Sequence, residues 1–323
     1  MNIAVTGASG HVGRNLCQML VERGHQVKAF LHKDFNVPQK MQLDYVEGDV
    51  TNEKDLERLC HGCEVVYNLA ARISIRKYDR ICRKVNIESC TNMIRAARKT
   101  GVRKIIHFSS IHAFRQEPLS EELNETRDLS IDSNFSYDRS KAVGQKLMMD
   151  ASTGSCEVVV LNPTAIIGPN DIKPSLMGNA LIRFYKGLNP VLIPGGYNWV
   201  DVRDVCISAL NAIEYATAGC YLLSGSWQSL GTVADEIEKL GGHKAPRLEI
   251  PVWMARMAAP VFNIHSLLNN KPPLYTNVSL QSLTKSHRNI SSDKARTMVG
   301  HLSRPFTETL SDTITWFKEN NYI

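Results

Sequence analysis

Short apolar runs alternate with amphipathic stretches through the first half of the chain. Between these runs, apolar residues recur at helical spacing, which ends at Gly24 and again at Gly101. Runs that are apolar throughout are typical of strands buried on both faces of a parallel sheet. The pattern therefore predicts repeated βαβ units and an α/β fold with a doubly wound parallel sheet. The predicted strands are Ile3 to Val5, Val27 to Leu31, Tyr45 to Val46, Val65 to Leu69, Ile105 to Phe108 and Val158 to Leu161.

The rhythm changes after residue 165, where two stretches rich in proline and glycine, GPNDIKPSLMG and NPVLIPGGYN, interrupt the alternation. Separated helical patterns follow, from Val233 to Leu240, from Trp253 to Leu268 and from Phe306 to Phe317. We expect a Rossmann domain over residues 1–165, to which residues 199–225 return. Residues 166–198 and 226–323 are expected to form a smaller, mostly helical substrate-binding cap over the carboxyl edge of the sheet.

The composition is that of a globular protein, since 43% of the 323 residues are hydrophobic and 22% are charged. The formal net charge of +6 does not indicate a nucleic-acid partner. No stretch approaches the roughly 18 uninterrupted apolar residues that span a bilayer. The N-terminus begins a strand and lacks the pattern of a signal peptide, so we expect a cytoplasmic protein that does not contact membranes. Cys60 and Cys63 form a CxxC with no second pair at zinc spacing, so no metal site is expected.

A glycine-rich loop directly follows the first predicted strand. The sequence TGASGHVG, residues 6–13, places three glycines at three-residue spacing where the first helix begins. Glycine lets the backbone approach a pyrophosphate closely, and the unpaired N–H groups of a helix N-terminus favour that anion. The loop lies at the first βα crossover, and this context predicts dinucleotide binding. The residues expected to bind are Gly7, Ser9, Gly10, His11, Val12 and Gly13.

The end of the second strand bears on the choice between NAD and NADP. A site that prefers NAD usually carries Asp or Glu there to bind the ribose 2′-hydroxyl. This chain reads Phe30-Leu31-His32-Lys33, and its first carboxylate, Asp34, lies beyond the strand. Because His32 and Lys33 could meet a 2′-phosphate with charge and hydrogen bonds, we predict NADP as the cofactor. Use of NAD as well remains open.

Three residues form a candidate catalytic group. Tyr137 and Lys141 stand four positions apart, so they share one face if the segment is helical. A nearby ammonium together with an oxidised nicotinamide would stabilise the tyrosine phenolate, which is otherwise a poor base at neutral pH. Ser110 follows the carboxyl end of the strand Ile105 to Phe108, where it can hydrogen-bond a reacting carbonyl or hydroxyl. Tyrosine and lysine at this spacing also occur on ordinary exposed helices, so the pair alone decides nothing.

The combination of motifs resembles the extended short-chain dehydrogenase/reductase family, within the NAD-dependent epimerase/dehydratase superfamily. Besides the glycine-rich loop and YxxxK, the matching motifs are Val85-Asn86-Ile87, Phe108-Ser109-Ser110 and Asn162-Pro163-Thr164. The segment NPTAIIGPNDIKP and the closing segment with Trp316 are most similar to the dihydroflavonol 4-reductase-like branch. This branch also contains 3β-hydroxysteroid dehydrogenases and sugar-nucleotide epimerases.

The resemblance implies roles for individual residues. Tyr137 would exchange the proton, Lys141 would bind the nicotinamide ribose and lower the tyrosine pKa, and Ser110 would orient the substrate oxygen. Asn86 would tie the fourth helix into the proton-relay scaffold. Further cofactor contacts are implied at Asp49, Val50, Leu69, Ala70, Ala71, Pro163 and Thr164. Substrate contacts are expected, from their position relative to the motifs, at Ile73, Arg76, Phe114, Met177 and Trp199.

Three functions follow from these expectations. The first is an NADP-dependent oxidoreductase that transfers hydride between nicotinamide and a small carbonyl or alcohol substrate. The second is an NAD-dependent sugar-nucleotide epimerase, and the third is a non-catalytic dinucleotide sensor. Retention of both Tyr137 and Lys141 argues against the sensor. A monomer or a homodimer that pairs the fourth and fifth helices is expected.

Two local features leave the substrate open. The basic stretch from Arg72 to Lys84 follows the fourth strand, which makes an acidic or phosphorylated substrate conceivable. Dehydratases of this superfamily usually place Asp-Glu after the catalytic hydroxyl residue, whereas this chain has Ile111 and His112. Dehydration is therefore not expected, and a structural role for His112 is favoured over a substrate contact.

Overall fold

A computed structural model describes residues 1–32, 42–257 and 277–323 of the chain. Seven of the described strands form one parallel sheet in the order β3-β2-β1-β4-β5-β6-β9. The predicted α/β fold with a doubly wound parallel sheet is thereby confirmed. The strands of this sheet are β1 (Asn2–Thr6), β2 (Gln26–Leu31), β3 (Asp44–Glu47), β4 (Val65–Asn68), β5 (Lys104–Phe108), β6 (Glu157–Pro163) and β9 (Gly219–Leu223).

Helices cover both faces of the large sheet, and each face has its own core. One core joins Leu16 and Leu20 of the first helix to Val205 and Ala209 of the seventh. The other joins Leu56 and Met93, together with further side chains of the second, fourth and fifth helices. The helices on these faces are α1 (His11–Glu22), α2 (Glu53–Cys60), α3 (Arg80–Arg83), α4 (Ser89–Thr100), α5 (Ser136–Asp150), α7 (Val202–Asn211) and α11 (Asp293–Val299).

A second, three-stranded sheet has the order β10-β8-β7, formed by β7 (Ala165–Ile167), β8 (Gly196–Asp201) and β10 (Ser226–Ser229). Its core includes Leu181, Trp199 and Val233, which pack with apolar residues of neighbouring helices. These helices are α6 (Leu176–Tyr185), α8 (Leu230–Lys239), α10 (Asn277–Thr284) and α12 (Phe306–Glu319). Residues 199–225 contribute to both sheets, through β8 and β9, and the domain boundaries stay a prediction.

The predicted helix from Trp253 to Leu268 falls partly outside the described residues. Within them, residues 252–257 are helical and form α9. Among the helices that the structure describes, none combines the length and the apolar character needed to cross a bilayer.

All eight cysteines are free thiols with buried side chains. Burial raises the pKa of the Cys60 thiol to about 12, which keeps it protonated and weakens it as a metal ligand. Across residues 1–32, 42–257 and 277–323, no group of three or more metal-ligating side chains is found.

Candidate active site

The glycine-rich loop closes tightly on itself between β1 and α1. Gly10 donates its backbone N–H to the carbonyl oxygen of Gly7 at 3.0 Å. Gly7 has a φ of 68°, in the left-handed region that favours glycine. A Cβ on Gly13 would lie only 2.2 Å from the Gly7 carbonyl oxygen. Any larger residue at position 13 would therefore force the loop apart.

Thr6 fastens this loop to the end of the neighbouring strand β4. Its hydroxyl donates to Asn68 Oδ1 at 3.0 Å and accepts the backbone N–H groups of Leu69 and Ala70 at 3.0 and 3.1 Å. The carboxyl ends of β1 and β4 are consequently held side by side. Leu69 and Ala71 line the same cavity as the glycine-rich loop.

The N-terminus of α1 is chemically suited to a phosphate group. Gly10 stands at the cap position and supplies no side-chain acceptor, and the first turn contains no acidic residue. The N–H groups there point outward without helical partners, and the helix dipole favours a negative charge. His11 and Asn15 are held by the Pro169 carbonyl oxygen, at 2.9 and 3.1 Å. The cradle that a Cβ would fill and the uncapped helix end together fit a dinucleotide pyrophosphate.

The end of β2 lies beside the loop that follows β3. His32 is exposed, and its Nε2 lies 3.7 Å from Asp49 Oδ2. Partial burial raises the pKa of Asp49, but hydrogen bonds from the Thr51 backbone and hydroxyl, together with His32, outweigh it and hold this pKa below its ordinary value. The structure thus brings a carboxylate close to a strand end that lacks one in sequence. Lys33, the other predicted 2′-phosphate contact, lies outside the described residues.

Ser110, Tyr137 and Lys141 converge on the carboxyl edge of the sheet. Ser110 precedes a short 3₁₀ turn, Ile111–Ala113, and its hydroxyl accepts the His112 N–H at 3.2 Å. Tyr137 lies in the first turn of α5 and hydrogen-bonds to the Ser110 hydroxyl. Lys141, one turn further along the same helix, donates to the carbonyl oxygen of Phe108 at 2.9 Å. The three side chains line one cavity.

Burial dominates the electrostatics of this group. It raises the pKa of Tyr137 to about 12, although the Ser110 hydrogen bond acts in the opposite direction. It lowers the pKa of Lys141 to about 8. In the protein alone the phenol is therefore protonated at neutral pH, which suits a proton donor to a carbonyl oxygen.

Asn86 joins the turn between α3 and α4 to α5 and to the loop that follows β4. It lies in a π-helical turn, Lys84–Glu88, between α3 and α4. Its amide donates to the Ser140 hydroxyl at 2.9 Å and to the Arg72 carbonyl oxygen at 3.0 Å, while its Oδ1 accepts the Arg72 N–H at 2.8 Å. A Cβ on Gly144 would lie 2.6 Å from the Asn86 carbonyl oxygen, so α5 packs directly against this turn. Such π-helical turns are frequent at functional sites.

A histidine and an aspartate stand next to the tyrosine. His112 Nδ1 lies 3.3 Å from Asp138 Oδ1, and the His112 and Tyr137 rings meet edge-on with centroids 5.7 Å apart. Burial lowers the pKa of His112, but the hydrogen bond and charge of Asp138 outweigh burial and raise it. The sequence favoured a structural role for His112, because nothing in it shows the pairing with Asp138.

One cavity of about 1160 Å³ joins the glycine-rich loop to the catalytic group and to the small sheet. Ile73, Phe114, Met177 and Trp199, four of the predicted substrate contacts, line it, whereas Arg76 does not. The predicted cofactor contacts that line it are Gly7, Gly10, His11, Val12, Gly13, Leu69, Ala71, Tyr137, Lys141, Pro163 and Thr164. Ser9, Val50, Ala70, His32 and Asp49 are absent from the lining.

Several buried polar atoms that belong to residues lining the cavity lack a hydrogen-bond partner among the described residues. Both ring nitrogens of His287 are in this state, and its side chain is almost completely buried. The Trp199 indole N–H, the Ser109 hydroxyl and the Thr164 hydroxyl are also unpartnered. Unsatisfied buried polar groups are rare in native proteins, and a ligand or water commonly accounts for them. No pattern in the sequence distinguishes His287.

Residues 3–219 match the family described as the NAD dependent epimerase/dehydratase family. The chain belongs to this family. The predicted membership of the extended short-chain dehydrogenase/reductases is confirmed, and with it the prediction of an NAD(P)-dependent enzyme.

Two relatives and one solved structure match this chain along nearly its whole length. Sterol demethylase protein B of Methylococcus capsulatus is 29% identical, with 100% of each chain covered. The putative dihydroflavonol 4-reductase of a Synechocystis species is 27% identical over 99% of this chain and 95% of its own. The crystal structure of gox2253 superposes with a TM-score of 0.84 at 25% identity, covering 99% of both chains.

Proposed function

We propose that the protein is an NADP-dependent oxidoreductase of the dihydroflavonol 4-reductase-like type. It transfers hydride between nicotinamide and a carbonyl or alcohol carbon of a largely apolar small molecule. The observation that carries this proposal is that the positively charged side chains in the cavity already have partners. In the described part of the lining, each lysine and arginine is already engaged by a group of the protein.

Four cations make up this set. Arg115 pairs with Asp132 at 2.7 Å, and Lys285 pairs with Glu117 at 2.6 Å. Arg183 donates to the Leu188 carbonyl oxygen and Asn189, and Lys141 donates to the Phe108 carbonyl oxygen. A nucleoside diphosphate in the substrate half would have to displace these partners, because phosphates are bound chiefly by free arginine and lysine.

Much of the remaining wall of the substrate half is apolar, although polar side chains such as Gln116 and Asn198 also line it. The apolar part is built from aliphatic and aromatic side chains that come from separate segments of the chain. A wall of this kind binds its ligand mainly through burial of apolar surface. The residues concerned include Ile73, Phe114, Met177, Leu181, Trp199 and Leu283. This composition supports an apolar substrate, in keeping with a whole-length relative named as a sterol demethylase protein.

Each catalytic side chain has one task in this proposal. In reduction, the Tyr137 phenol donates its proton to the carbonyl oxygen, and Ser110 positions that oxygen by a hydrogen bond. Lys141 supplies positive charge beside the nicotinamide ribose and favours the phenolate that results. NADPH, when bound, supplies the hydride. Asn86 acts through Ser140 and the Arg72 backbone, which makes it a positioning residue.

The cofactor half supports a dinucleotide along one edge of the sheet. The loop from Gly7 to Gly13 and the α1 N-terminus would hold the pyrophosphate, while Pro163 and Thr164 would lie beside the nicotinamide. Residues 69–71 would lie along the adenosine side, and Asp49 and Val50 would lie beside the adenine. We base the preference for NADP on His32, whose exposed ring lies at the end of β2, 3.7 Å from Asp49, and would donate a hydrogen bond to a ribose 2′-phosphate.

A sugar-nucleotide epimerase is the second candidate. Family membership itself supports it, since the matching family is described as the NAD dependent epimerase/dehydratase family. An epimerase regenerates its dinucleotide within each turnover, whereas a reductase consumes NADPH. Net oxidation of the cofactor therefore separates the two functions.

The deciding experiment follows NADPH oxidation by the purified protein with apolar ketones, including a keto-steroid, and with UDP-glucose. We expect the ketones to drive net oxidation and UDP-glucose to have no effect. Tightly retained NAD with interconversion of UDP-glucose and UDP-galactose, and no net oxidation with any ketone, would establish the epimerase instead. Light scattering on the same preparation distinguishes a monomer from the homodimer.

A further inference from the structure

Residues 168–175 connect the two halves of the cavity. They follow β7 of the small sheet and lead into α6, where Met177 lines the cavity. Near the start of this segment, the Pro169 carbonyl oxygen accepts hydrogen bonds from His11 Nε2 at 2.9 Å and from Asn15 Nδ2 at 3.1 Å. A segment outside the large sheet is therefore bonded to the helix that begins at the glycine-rich loop.

Two asparagines complete this contact. Asn170 Nδ2 donates to Asn15 Oδ1 at 3.0 Å. The Asn15 amide also donates to the carbonyl oxygen of His11, one turn earlier in α1, at 2.9 Å. Asn170 has a φ of 66°, in the left-handed region that asparagine tolerates better than most side chains. The Asn15 side chain is almost completely buried, and its amide oxygen and nitrogen are both bonded.

The connecting segment is itself held in place. The buried Asp171 carboxylate accepts the Ser175 backbone N–H at 2.9 and 3.0 Å and the Ser175 hydroxyl at 2.8 Å. The same Ser175 hydroxyl caps α6. Tyr322, which follows α12, donates its hydroxyl to the Ile172 carbonyl oxygen. The segment is therefore anchored directly after its contact with α1.

The first turn of α1 lacks the usual means of stabilisation. A side chain at the cap position normally accepts an N–H group of the first turn, and an uncapped helix end frays. Gly10 occupies the cap position and makes no such bond. A cap would occupy N–H groups that the pyrophosphate needs. The side chains of His11 and Asn15 instead fasten this turn to Pro169 and Asn170, and the N–H groups stay available.

We propose that Asn15 and Asn170 are positioning residues for the dinucleotide pyrophosphate. Both are absent from the lining of the cavity, so they act through α1 and do not touch the cofactor. They keep the first turn of α1 ordered before the cofactor arrives. Without them the cofactor must order this turn as it binds, and the cost lowers its affinity. The assignment rests on the placement of the pyrophosphate at α1 in the proposed function.

Fluorescence titration with NADPH tests two single variants. Asn170→Gly removes one amide but keeps the left-handed backbone available, and we expect a rise in Kd of about 3- to 10-fold. Asn15→Ala removes every bond of the inner amide, and we expect a rise of about 10- to 100-fold. The control is Gln18→Ala on the exposed face of the same helix, where the lost amide bonds only to Glu22. Its Kd should equal that of the wild type.

Fragments of the cofactor separate positioning from a general loss of structure. ADP-ribose contains the pyrophosphate and adenosine lacks it, and displacement of bound NADPH gives the affinity of each. In Asn170→Gly we expect the ADP-ribose affinity to fall by the same factor as the NADPH affinity, while the adenosine affinity is unchanged. With a reducible apolar ketone, KM for NADPH should rise by that factor and kcat at saturating NADPH should stay constant.

The double variant Asn15→Ala/Asn170→Gly shows whether the two residues act as a unit. Because Asn170 reaches α1 through the Asn15 amide, its loss should matter little once that amide is gone. We expect the double variant to lose less affinity than the product of the two single losses. A loss equal to the product would mean that the residues act independently, against the proposal.

The outcomes separate this proposal from the function beneath it. Unchanged NADPH affinity in Asn170→Gly, or an equal fall for adenosine, overturns the positioning role and leaves the cofactor site standing. If Asn15→Ala does not fold, Asn170→Gly carries the test alone, since Asn170 is only half-buried. A wild type that binds neither NADPH nor ADP-ribose overturns the proposed cofactor site. Binding without net NADPH oxidation by any ketone removes the oxidoreductase and leaves the positioning role intact.

Discussion

The two halves of the cavity are built by different means. The cofactor half is formed by backbone at neighbouring positions, as at Gly7 and Gly13, where a side chain has no space. The substrate half is formed by side chains from distant segments, such as Phe114, Trp199 and His287. Few contacts of the cofactor half can be altered by substituting a side chain, because the backbone supplies them. The substrate half, by contrast, keeps unpartnered polar atoms of the described residues inside a largely apolar wall. The contrast shows how one fold can hold a constant cofactor beside a variable substrate.

Among the variants that compare the two halves, the largest effect is expected from adding a methyl group to the backbone-built half. In Gly13→Ala the new Cβ would meet the Gly7 carbonyl oxygen at 2.2 Å, so the loop must open. Loss of one or two N–H bonds to a phosphate weakens NADPH binding by about 10- to 1,000-fold. Fluorescence titration measures this change, and Gly154→Ala, which has open space around it, is the control. Equal affinities in both variants would contradict the backbone account.

The catalytic group lies between the two halves of the cavity, and the pH dependence of kcat/KM tests the role of Lys141 there. Lys141 has a pKa of about 8, so it carries its charge below that value and loses it as the pH rises. We expect kcat/KM for NADPH to fall about tenfold per pH unit above this point. In Lys141→Arg the side chain stays protonated, so any remaining activity should persist to higher pH. Lys146→Arg, on the exposed face of the same helix, should keep the wild-type profile.

Replacing the buried histidines His287 and His107 should change the free energy of unfolding in opposite directions. Among the described residues, neither ring nitrogen of His287 has a hydrogen-bond partner, so His287→Phe removes an unsatisfied group and should raise the free energy of unfolding by about 1 kcal/mol. His107 accepts a hydrogen bond from Asn68 at 3.1 Å, and burial lowers its pKa to about 3, which keeps it neutral. His107→Phe should therefore destabilise by about 1–3 kcal/mol. Chemical denaturation gives both values, and two changes of the same sign would be inconsistent with the assignment.

The smallest effect is expected at the ribose corner. His32 is exposed, and its interaction with Asp49 is weakened by solvent. Substitution His32→Ala should lower the ratio of NADPH to NADH affinity by about three- to tenfold, through loss of a hydrogen-bond donor to the 2′-phosphate. The matched surface variant is His61→Ala. An unchanged ratio would remove the basis for NADP preference at this residue.

The sequence predicts the backbone-built half well because its determinants are local. Apolar runs such as Ile3 to Val5 fall within the strands of the large sheet, and the glycine spacing places the loop at the start of α1. YxxxK needs only a helix to bring Tyr137 and Lys141 to one face. For these features, neighbours in sequence are also neighbours in space.

The substrate half resists prediction because its contacts are not local. Asp138 is visible within the YxxxK motif, but its pairing with His112 depends on the direction in which α5 leaves the sheet. His287 follows α10 and reaches the cavity only through the tertiary packing. Arg76 lies in a basic stretch, yet charge density alone does not place a side chain in the cavity.

The central claim is that Tyr137 performs proton transfer in a reaction that consumes the cofactor. NADPH oxidation with one reducible apolar ketone, compared between the wild type and Tyr137→Phe, tests it most directly. The account predicts a fall in kcat of about 100- to 10,000-fold with unchanged NADPH affinity, and no fall in the surface control Tyr45→Phe. Equal rates of NADPH oxidation by the wild type and Tyr137→Phe would contradict it.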